Sequence, residues 1–373
     1  MQTKIEQKFI LPDLDLYTKK WVYWNGQRIK TVFIIHLMDQ FLSKWAGYRR
    51  DWIRLNSRIL KSQYGSLYVH ILDWLIQHGQ LELWKNYSVG IKSKTYRLTA
   101  SAKAQPILAA SIEVPTKLVQ IYQDDLDTNE DWIKLELIES LKRVQIDRDH
   151  ALAWCDRHLE KGTIQHLSNT MSINRIHSGT IYSHWDRWGR LHTNFTSLKK
   201  ELRQGFLSVN GNKLVELDIQ NSQPFFLWLL MRESGSNGDK GYTDAVFTGK
   251  IYEQLATDFD ITRKEAKVLI YRVLFGRNRG TKCDQWFQKA WPETYKWIIE
   301  FKKECKSYKA LAQQLQFRES QFIFHNLIPE IYSWHKLTIV TVHDSIMFEE
   351  KWLIDIKKIF DRSVEQLVKT WLN

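Results

Sequence analysis

The sequence has few cysteines and no long hydrophobic run. Its three cysteines, Cys155, Cys283 and Cys305, include no C-x2-C pair, which argues against a disulfide framework and against a zinc ribbon. The longest apolar run, residues 225–231, is far too short to span a bilayer. Charged residues stand within the first six positions, so an apolar signal core is absent there. We therefore expect a cytoplasmic protein that has no membrane partner.

Positive charge, by contrast, is present in excess. The sequence has 54 lysine and arginine residues against 42 aspartate and glutamate residues, which gives a formal net charge of +12. Cations that neutralise phosphates release condensed counterions, so nucleic acid is the partner that this charge favours. A basic protein that is merely soluble is the alternative. At 373 residues the chain can bury a large core, and its length predicts two or three units.

The first hundred residues contain the pattern of a small helical module with a basic hairpin. An apolar helical stripe over residues 67–76 stops at Gly79. Two strand-like segments, residues 81–87 and 94–98, then flank a basic turn. This order resembles the winged helix of replication initiators, so we interpret residues 1–100 as a winged-helix-like DNA-binding module. A small domain that makes protein contacts is the alternative.

Basic and aromatic side chains of this module are its expected nucleic-acid contacts. Lysine and arginine would contact phosphates, and an aromatic ring would stack or hydrogen bond. The basic residues are Arg49, Arg50, Arg54, Arg58, Lys61, Lys92, Lys94 and Arg97. The aromatic candidates are Tyr64 and Tyr68.

The composition changes after this module. Residues 101–115 are rich in alanine, serine and proline, which predicts a linker. An acidic stretch and a helical pattern through Leu141 follow. We interpret residues 101–184 as a linker with a helical, thumb-like region, and residues 185–373 as a separate domain.

The second half of the chain contains a helix whose two ends can be identified from the sequence. Thr262 and Glu265 have the spacing of a capping box, and Gly276 is a typical C-terminal stop. Within this helix Arg263 and Lys267 are four residues apart, and Tyr271 follows after four more, so all three share one face. An ordinary surface helix with cations is the alternative.

Two apolar, strand-like segments each carry an aspartate. The first, LDIQNSQPFFLW, contains Asp218, and the second, TVHDSIMFE, contains His343 and Asp344. The second has a turn-like H-D-S flanked by apolar residues, which predicts a hairpin that projects its tip. A carboxylate at the end of an apolar strand is costly unless it is paired or binds a cation. Each of these aspartates is therefore expected either to be paired or to bind a cation.

The order of these three segments resembles motifs A, B and C of the family A DNA polymerases, and less closely those of the phage-type single-subunit RNA polymerases. The helix has the pattern R-x3-K-x3-Y-x3-F-G, and the two aspartate segments lie before and after it in the family's order. The resemblance covers roughly residues 185–373. It implies an α+β fold with a right-hand palm and fingers and an antiparallel palm sheet, preceded by the small winged-helix-like domain.

The resemblance also implies partners, cofactors and catalytic roles. The partners would be a DNA primer-template and nucleoside triphosphates, with RNA as an open alternative. Asp218 and Asp344 would hold two Mg²⁺ ions, for which Mn²⁺ could substitute. Lys267 and Arg263 would neutralise the triphosphate, and Lys267 would also stabilise or protonate the departing pyrophosphate. The first 180 residues contain no acidic exonuclease signature, so proofreading is not expected.

Further residues match positions that contact the nucleotide or the primer-template in this family. Tyr271 would stack on the nascent base pair, and Phe275 and Gly276 would crowd the templating base. The segment GRLHTNFTSLKKELRQGF resembles the one that holds the primer and template backbone. Its expected contacts are Arg190, Lys199, Lys200 and Arg203, and His343 is expected to join them from the hairpin. Arg318 to Gln321 match the family's minor-groove helix weakly, with a core helix as the alternative.

Departures from the family pattern leave the sugar preference open. The glutamate that excludes a 2′-hydroxyl has no clear counterpart, and Gln223 occupies its place if no gap is assumed. Ser345 stands where DNA polymerases usually carry a second acid. In this respect the H-D-S segment is more similar to the RNA enzymes. A DNA polymerase of a plasmid, phage or other mobile element is the first interpretation, and an RNA polymerase or primase is the second. The third is a non-catalytic DNA-binding replication initiator.

The C-terminal segment has the periodicity of an amphipathic helix. It runs from Lys351 to Asn373, and its apolar positions are expected to pack on the palm. These positions are Ile354, Ile359, Leu367 and Trp371.

Overall fold

The protein is described by a computed structural model that covers residues 4–12, 19–48, 52–84, 94–104, 107–115 and 132–372. Helices dominate, and every strand pair whose register is defined is antiparallel, which confirms the α+β class. The chain divides into two compact units. Residues 1–184 and 192–214 form the first, and residues 185–191 and 215–373 form the second. None of the described helices is long and apolar enough to cross a membrane.

The elements up to residue 209 lie in the first unit, except for the tip of one hairpin. The strands are β1 (Lys4–Pro12), β2 (Trp21–Trp24), β3 (Gln27–Lys30), β4 (Ile53–Arg54), β5 (Leu81–Leu83), β6 (Thr95–Leu98), β7 (Ile107–Pro115), β8 (Val144–Ile146), β9 (Ser183–Trp185), β10 (Leu191–Thr193) and β11 (Leu207–Val209). The helices are α1 (Thr31–Tyr48), α2 (Ser57–Tyr64), α3 (Tyr68–Gln77), α4 (Ala100–Ala104), α5 (Trp132–Leu141), α6 (Arg148–His158), α7 (Ile164–His177), α8 (Asn194–Ser197) and α9 (Lys200–Phe206). The β9–β10 hairpin has its tip, residues 185–191, in the second unit.

Strand β12 (Asn212–Asp218) begins in the first unit and ends in the second. The helices that follow are α10 (Ser222–Glu233), α11 (Lys240–Phe247), α12 (Ile251–Phe259), α13 (Arg263–Phe275), α14 (Lys282–Ala290), α15 (Pro292–Glu304), α16 (Ala310–Gln321), α17 (Ile328–Trp334) and α18 (Leu353–Leu372). A π-helical segment, Phe322–Leu327, joins α16 to α17. The remaining strands are β13 (Val340–Val342) and β14 (Ser345–Glu349).

The core of the first unit is built around α1 and α3. Buried residues of these helices pack with residues of the β2–β3 hairpin, of the β4–β6–β5 sheet and of α7. An ion pair between Arg175 and Asp39, 2.7 Å long and almost fully buried, links α7 to α1. The division into units therefore does not separate residues 1–100 from residues 101–184.

Two expectations for the first unit are wrong. The predicted linker, residues 101–115, instead contains most of α4 and all of β7, whose nine residues pair with β1. The backbone N–H and C=O groups of β7 find their partners in β1, about 100 residues earlier in the chain, and local composition does not reveal such a distant partner.

Tyr64 is only 4% exposed and hydrogen bonds to His36 Nδ1 at 2.7 Å, so it is not available for stacking. Arg49, Arg50 and Lys92 lie outside the described residues.

The second unit has an aromatic core around α10. Phe226 contacts Phe322 of the π-helical segment, which in turn contacts Phe360 of α18. The amphipathic C-terminal helix is present, but its buried face differs from the expected one. Ile359 is buried as predicted, whereas Ile354 is 71% exposed and Ile356 is buried in its place. Ile354 and Ile359 are five residues apart, about 140° around a helix, so one face cannot bury both, whereas Ile356, Ile359 and Phe360 follow the i, i+3, i+4 spacing of a single face and are all buried.

Candidate active site

The two predicted aspartates lie at neighbouring positions in the second unit. Asp218 is the last residue of β12, and Asp344 is in the two-residue turn between β13 and β14, which pair from Val342 with Ser345. The backbone N–H of Ile219, the residue after Asp218, donates to the carbonyl oxygen of Asp344 at 3.2 Å. This hydrogen bond brings together two residues that are far apart in the sequence.

The turn that carries Asp344 has an unusual first residue. His343 has a φ of 57°, a conformation that a two-residue hairpin turn demands and that glycine or asparagine usually supplies. Backbone strain of this kind is often retained at functional sites. His343 is exposed in the turn of the predicted hairpin, and its contact with a primer-template stays a prediction.

Ser345 stabilises the hairpin through its buried hydroxyl. Its single hydroxyl proton is shared between two acceptors, Glu216 Oε1 at 2.8 Å and the carbonyl oxygen of Val342 at 3.0 Å. Glu216 lies two residues before Asp218 on β12, so this bond ties the strands that carry the two aspartates. Ser345 is buried, and its hydroxyl is therefore a positioning group for the turn.

The two aspartates have different surroundings. Burial raises the pKa of Asp344, the positive charge of Lys267 opposes this, and the negative charge of Asp218 adds to it. Asp218 itself is exposed, so the expectation that both carboxylates are costly through burial is wrong for Asp218. Because β12 ends at this residue, its side chain leaves the sheet and reaches solvent. Within the described residues, neither aspartate forms an ion pair.

Helix α13 has the predicted capping box at its start. Glu265 Oε2 accepts hydrogen bonds from the Thr262 backbone N–H at 3.0 Å and from its hydroxyl at 2.7 Å. These bonds lower the pKa of Glu265. At the other end the Gly276 N–H donates to the Arg272 carbonyl at 2.8 Å. A Cβ on Gly276 would lie 2.5 Å from that carbonyl oxygen, so this close approach, and not a left-handed φ, requires glycine.

A buried lysine completes the end of this helix. Lys302 Nζ of α15 donates to the carbonyl oxygens of Val273 and Gly276, at 2.7 and 3.0 Å, and to Asn278 Oδ1 at 2.7 Å. Burial lowers the pKa of Lys302 to about 8, although the negative charge of Asp284 opposes this. The cation thereby satisfies carbonyls that the last turn of α13 leaves without a partner.

The shared face of α13 is arranged around Tyr252 of α12. Arg263 Nε donates to Glu253 Oε1 at 2.5 Å, and its Cζ lies 5.1 Å from the Tyr252 ring centroid. Lys267 Nζ lies 6.0 Å from the same centroid and 5.5 Å from that of Tyr271. Arg263 is thus held by a neighbouring acid, whereas Lys267 is exposed and forms no ion pair with any residue that the structure describes.

Tyr271 of α13 is close enough to Asp344 and Glu319 for their charges to act on it. Burial raises its pKa to about 12, and the negative charges of Asp344 and Glu319 contribute to this rise. Its ring centroid is 5.1 Å from that of Phe275, one turn further along the helix. Both predicted aromatic residues are therefore on the face that carries Lys267.

A buried carboxylate, Glu319 of α16, belongs to the segment Arg318 to Gln321 that the sequence matched weakly to a minor-groove helix, but its partners were not predicted. It is 1% exposed and accepts hydrogen bonds from the Arg190 guanidinium, from Ser222 Oγ at 2.8 Å and from Gln223 Nε2 at 2.5 Å. Burial raises the pKa of Glu319, and Arg190 opposes this rise. In the sequence, Glu319 stands between the apolar positions Leu315 and Phe322 on one helical face, and this pattern could have indicated a buried acid.

Arg190 reaches Glu319 because the tip of the β9–β10 hairpin approaches α16 closely. Gly189 has a φ of 77°, and a Cβ on it would lie 3.4 Å from Ser320 Cβ. Asp186 Oδ1 accepts from the backbone N–H groups of Trp188 and Arg190, at 2.8 and 3.0 Å, which closes the turn. Arg190 is thus a fixed cation beside Glu319.

Three predicted primer-template contacts lie in the first unit. Lys200 is exposed at the start of α9, and the backbone N–H of Lys199 donates to Asn169 Oδ1 at 2.7 Å. Arg203 is only 8% exposed, and its guanidinium donates to the carbonyl oxygen of Leu198 at 2.6 Å. The guanidinium of Arg203 therefore supports its own turn.

The donor set in the second unit suits a polar, charged ligand. Among the described residues, no group of three or more His, Cys, Asp or Glu side chains has the arrangement of a metal site, so Asp218 and Asp344 are a pair without a third ligand. Among the described residues, three buried polar atoms of side chains that bond or adjoin Glu319 lack a protein partner: Arg190 Nε, Gln223 Oε1 and Ser320 Oγ. Buried polar groups normally have partners, so these atoms favour a ligand or water molecules there.

Comparisons with known proteins add no family to this geometry. No protein-family model matches the chain, and no curated protein matches it.

Proposed function

We propose that this protein is a template-directed nucleotidyltransferase, a DNA polymerase without proofreading that adds deoxynucleotides to a primer 3′-hydroxyl. The observation that supports this proposal most is the hydrogen bond from Ile219 to Asp344, which brings Asp218 and Asp344 together with Lys267 near them. The order of the three sequence motifs supports it independently.

Asp218 and Asp344 would hold two Mg²⁺ ions. Their carboxylate oxygens suit this cation. The carboxylate of Asp218 is exposed, and neither aspartate forms an ion pair in the described part of the chain, so both are available to it. When bound, the ions supply Lewis acidity toward the 3′-hydroxyl and the triphosphate. Ser345 and Glu216 hold the two strands in register beneath the carboxylates.

Lys267 is the residue that we assign to the triphosphate. It is exposed, carries no ion pair within the described chain and lies on the α13 face that points toward Asp344. A compact ammonium ion can bind phosphate oxygens and donate a proton to the leaving pyrophosphate. Arg263 would assist only after exchanging Glu253 for a phosphate.

An RNA polymerase or primase is the second candidate. Gln223 presents a neutral amide, and that amide is bonded to Glu319 at 2.5 Å. No carboxylate of motif A therefore stands at the position where the family excludes the 2′-hydroxyl.

The proposal is tested by extension of a labelled primer on a DNA template with Mg²⁺. Deoxynucleotides and ribonucleotides are supplied in parallel reactions, and wild type is compared with Asp218→Ala. Asp361→Ala is the matched control, because Asp361 is an exposed carboxylate of α18 that forms an ion pair with Lys357. We expect extension by wild type and by the control, and none by Asp218→Ala.

The nucleotide pool that is used distinguishes the two candidates. Faster extension with ribonucleotides than with deoxynucleotides would reject the DNA polymerase and favour the RNA polymerase or primase. Absence of extension with both pools, also with Mn²⁺ or without a primer, would reject the enzyme and favour the DNA-binding replication initiator.

A further inference from the structure

The β2–β3 hairpin of the first unit has two chemically different faces. Its register pairs Trp21 with Lys30 and Tyr23 with Arg28, and because side chains alternate along a strand, these four residues share one face. The turn is Asn25–Gly26, with φ values of 46° and 74°, the conformation that a tight two-residue hairpin requires.

The inner face of this hairpin is part of the core of the unit. Ile29 is fully buried, and Val22 and Trp24 pack against the same cluster. Trp24 Nε1 and Asn25 Nδ2 both donate to Asp73 Oδ2 of α3, at 2.7 and 3.0 Å. The hairpin is therefore a fixed ribbon, and its outer face does not contribute to this core.

The outer face combines two aromatic rings, exposed Tyr23 and half-buried Trp21, with two cations. Tyr23 is 74% exposed, and Arg28 is exposed with its Cζ 4.0 Å from the Trp21 ring centroid. Lys30 Nζ lies 5.5 Å from the same centroid. In the part of the chain that the structure describes, neither Arg28 nor Lys30 forms an ion pair, so both charges remain available to a partner.

The helix that a winged-helix interpretation would place on DNA lacks this chemistry. Helix α3 has the sequence YVHILDWLIQ, which contains no lysine or arginine. Its one acid, Asp73, would repel phosphates and is occupied by the hairpin. Charge complementarity therefore favours the hairpin over α3 as the nucleic-acid surface of this unit.

We propose that the outer face of the β2–β3 hairpin binds single-stranded DNA, with a base stacked on Tyr23 and phosphates neutralised by Arg28 and Lys30. Unpaired bases expose the flat surfaces that an exposed ring can stack on, and they carry a phosphate for each nucleotide. Duplex DNA keeps its bases stacked on one another and offers only its phosphates to this face.

The test measures binding of a fluorescein-labelled dT20 oligonucleotide to the full chain by anisotropy, at a series of salt concentrations. Neither nucleotide nor metal ion is added, so the result does not depend on nucleotidyltransferase activity. Tyr23→Ala should weaken binding about tenfold, because stacking of one base is lost, whereas Tyr23→Phe should remain within about twofold of wild type.

The cations have their own readout in the salt dependence. Replacement of both Arg28 and Lys30 by Gln should reduce the slope of log affinity against log salt by about 1.4, since each neutralised phosphate of a single strand contributes about 0.7. Arg157→Gln with Lys213→Gln is the charge-matched control, because both are exposed cations of the first unit outside the hairpin. It should change the slope by less than about 0.5.

Three further probes can overturn the proposal. Inorganic polyphosphate should bind Tyr23→Ala and wild type equally, because it has no bases; an equal loss for both probes would show an electrostatic surface only. Tighter binding of rU20 than of dT20 would assign the face to RNA. Unchanged dT20 affinity in Tyr23→Ala, with an unchanged thermal unfolding curve, would remove the hairpin from nucleic-acid binding.

Discussion

Two carboxylate sites of the second unit differ in how the protein treats the negative charge. Glu319 is fully buried and receives hydrogen bonds from Arg190, Ser222 and Gln223. Asp218 and Asp344 lie beside each other at strand ends, and no described cation forms an ion pair with them. The first charge is compensated inside the fold, whereas the second pair is left for a partner.

This difference separates a positioning role from a binding role. Glu319 accepts three hydrogen bonds, one of them from an arginine, so most of its lone-pair sites are used by the protein and its charge stabilises the groups around it. Two adjacent carboxylates repel each other, and a divalent cation removes that repulsion. Only the aspartate pair therefore has the chemistry of a cation site.

The largest predicted effect concerns activity at the aspartate pair. Asp344→Asn should reduce primer extension by about 10³-fold or more, because one of two cation ligands is lost. Its free energy of unfolding should stay within about 1 kcal/mol of wild type, since no ion pair is broken. Extension rates and urea unfolding measure the two quantities. If Asp344→Asn still extends primers, the aspartate pair is not a catalytic cation site and does not differ in this role from Glu319.

The next effect concerns stability at the buried site. Glu319→Gln should lower the free energy of unfolding by about 3 kcal/mol, because Arg190 keeps its charge but loses its buried partner. Ser222→Ala is the graded control, which removes one donor and should cost about 1 kcal/mol. Urea unfolding of both variants tests this order, and a smaller loss in Glu319→Gln than in Ser222→Ala would contradict it.

Lys302 provides a third buried charge for the comparison. Lys302→Met should cost about 2 kcal/mol, because the carbonyls of Val273 and Gly276 lose their donor. The folded state lowers the pKa of Lys302 to about 8, so the unfolded chain holds this proton more tightly. Wild-type stability, relative to Lys302→Met, should therefore rise between about pH 8 and the ordinary lysine pKa. Urea unfolding across this range measures the difference, and a flat difference would contradict the burial of a charged lysine.

The smallest predicted effect is a shift of pH dependence at the aspartate pair. Burial raises the pKa of Asp344, so this side chain gains its proton at a higher pH than an ordinary aspartate. The Mg²⁺ concentration for half-maximal extension should rise as the pH falls toward that pKa, because the proton competes with the cation. Titrations of Mg²⁺ at several pH values provide the measurement. A half-maximal concentration that stays constant down to the ordinary aspartate range would show that burial does not affect Asp344.

Local sequence patterns were sufficient for the elements that carry the proposed catalytic residues. The capping box of Thr262 and Glu265 and the hairpin around His343 and Asp344 both depend on residues that are only a few positions apart. Their spacing fixes the hydrogen bonds whatever the rest of the chain does. The structure confirms both elements; the catalytic role assigned to them stays a prediction.

The tertiary structure decided which polar groups have partners. Glu319 meets Arg190 across 129 positions and Ser222 across 97, and Lys302 meets the end of α13 across 26 or more. Nothing in a single sequence specifies such pairs, because they form only when separate elements pack together. By itself the sequence determined where helix α13 begins and ends and which aspartates stand at strand ends. Only the fold decided that Glu319 is buried and compensated while Asp218 remains exposed, because burial depends on what the rest of the chain places around each charge.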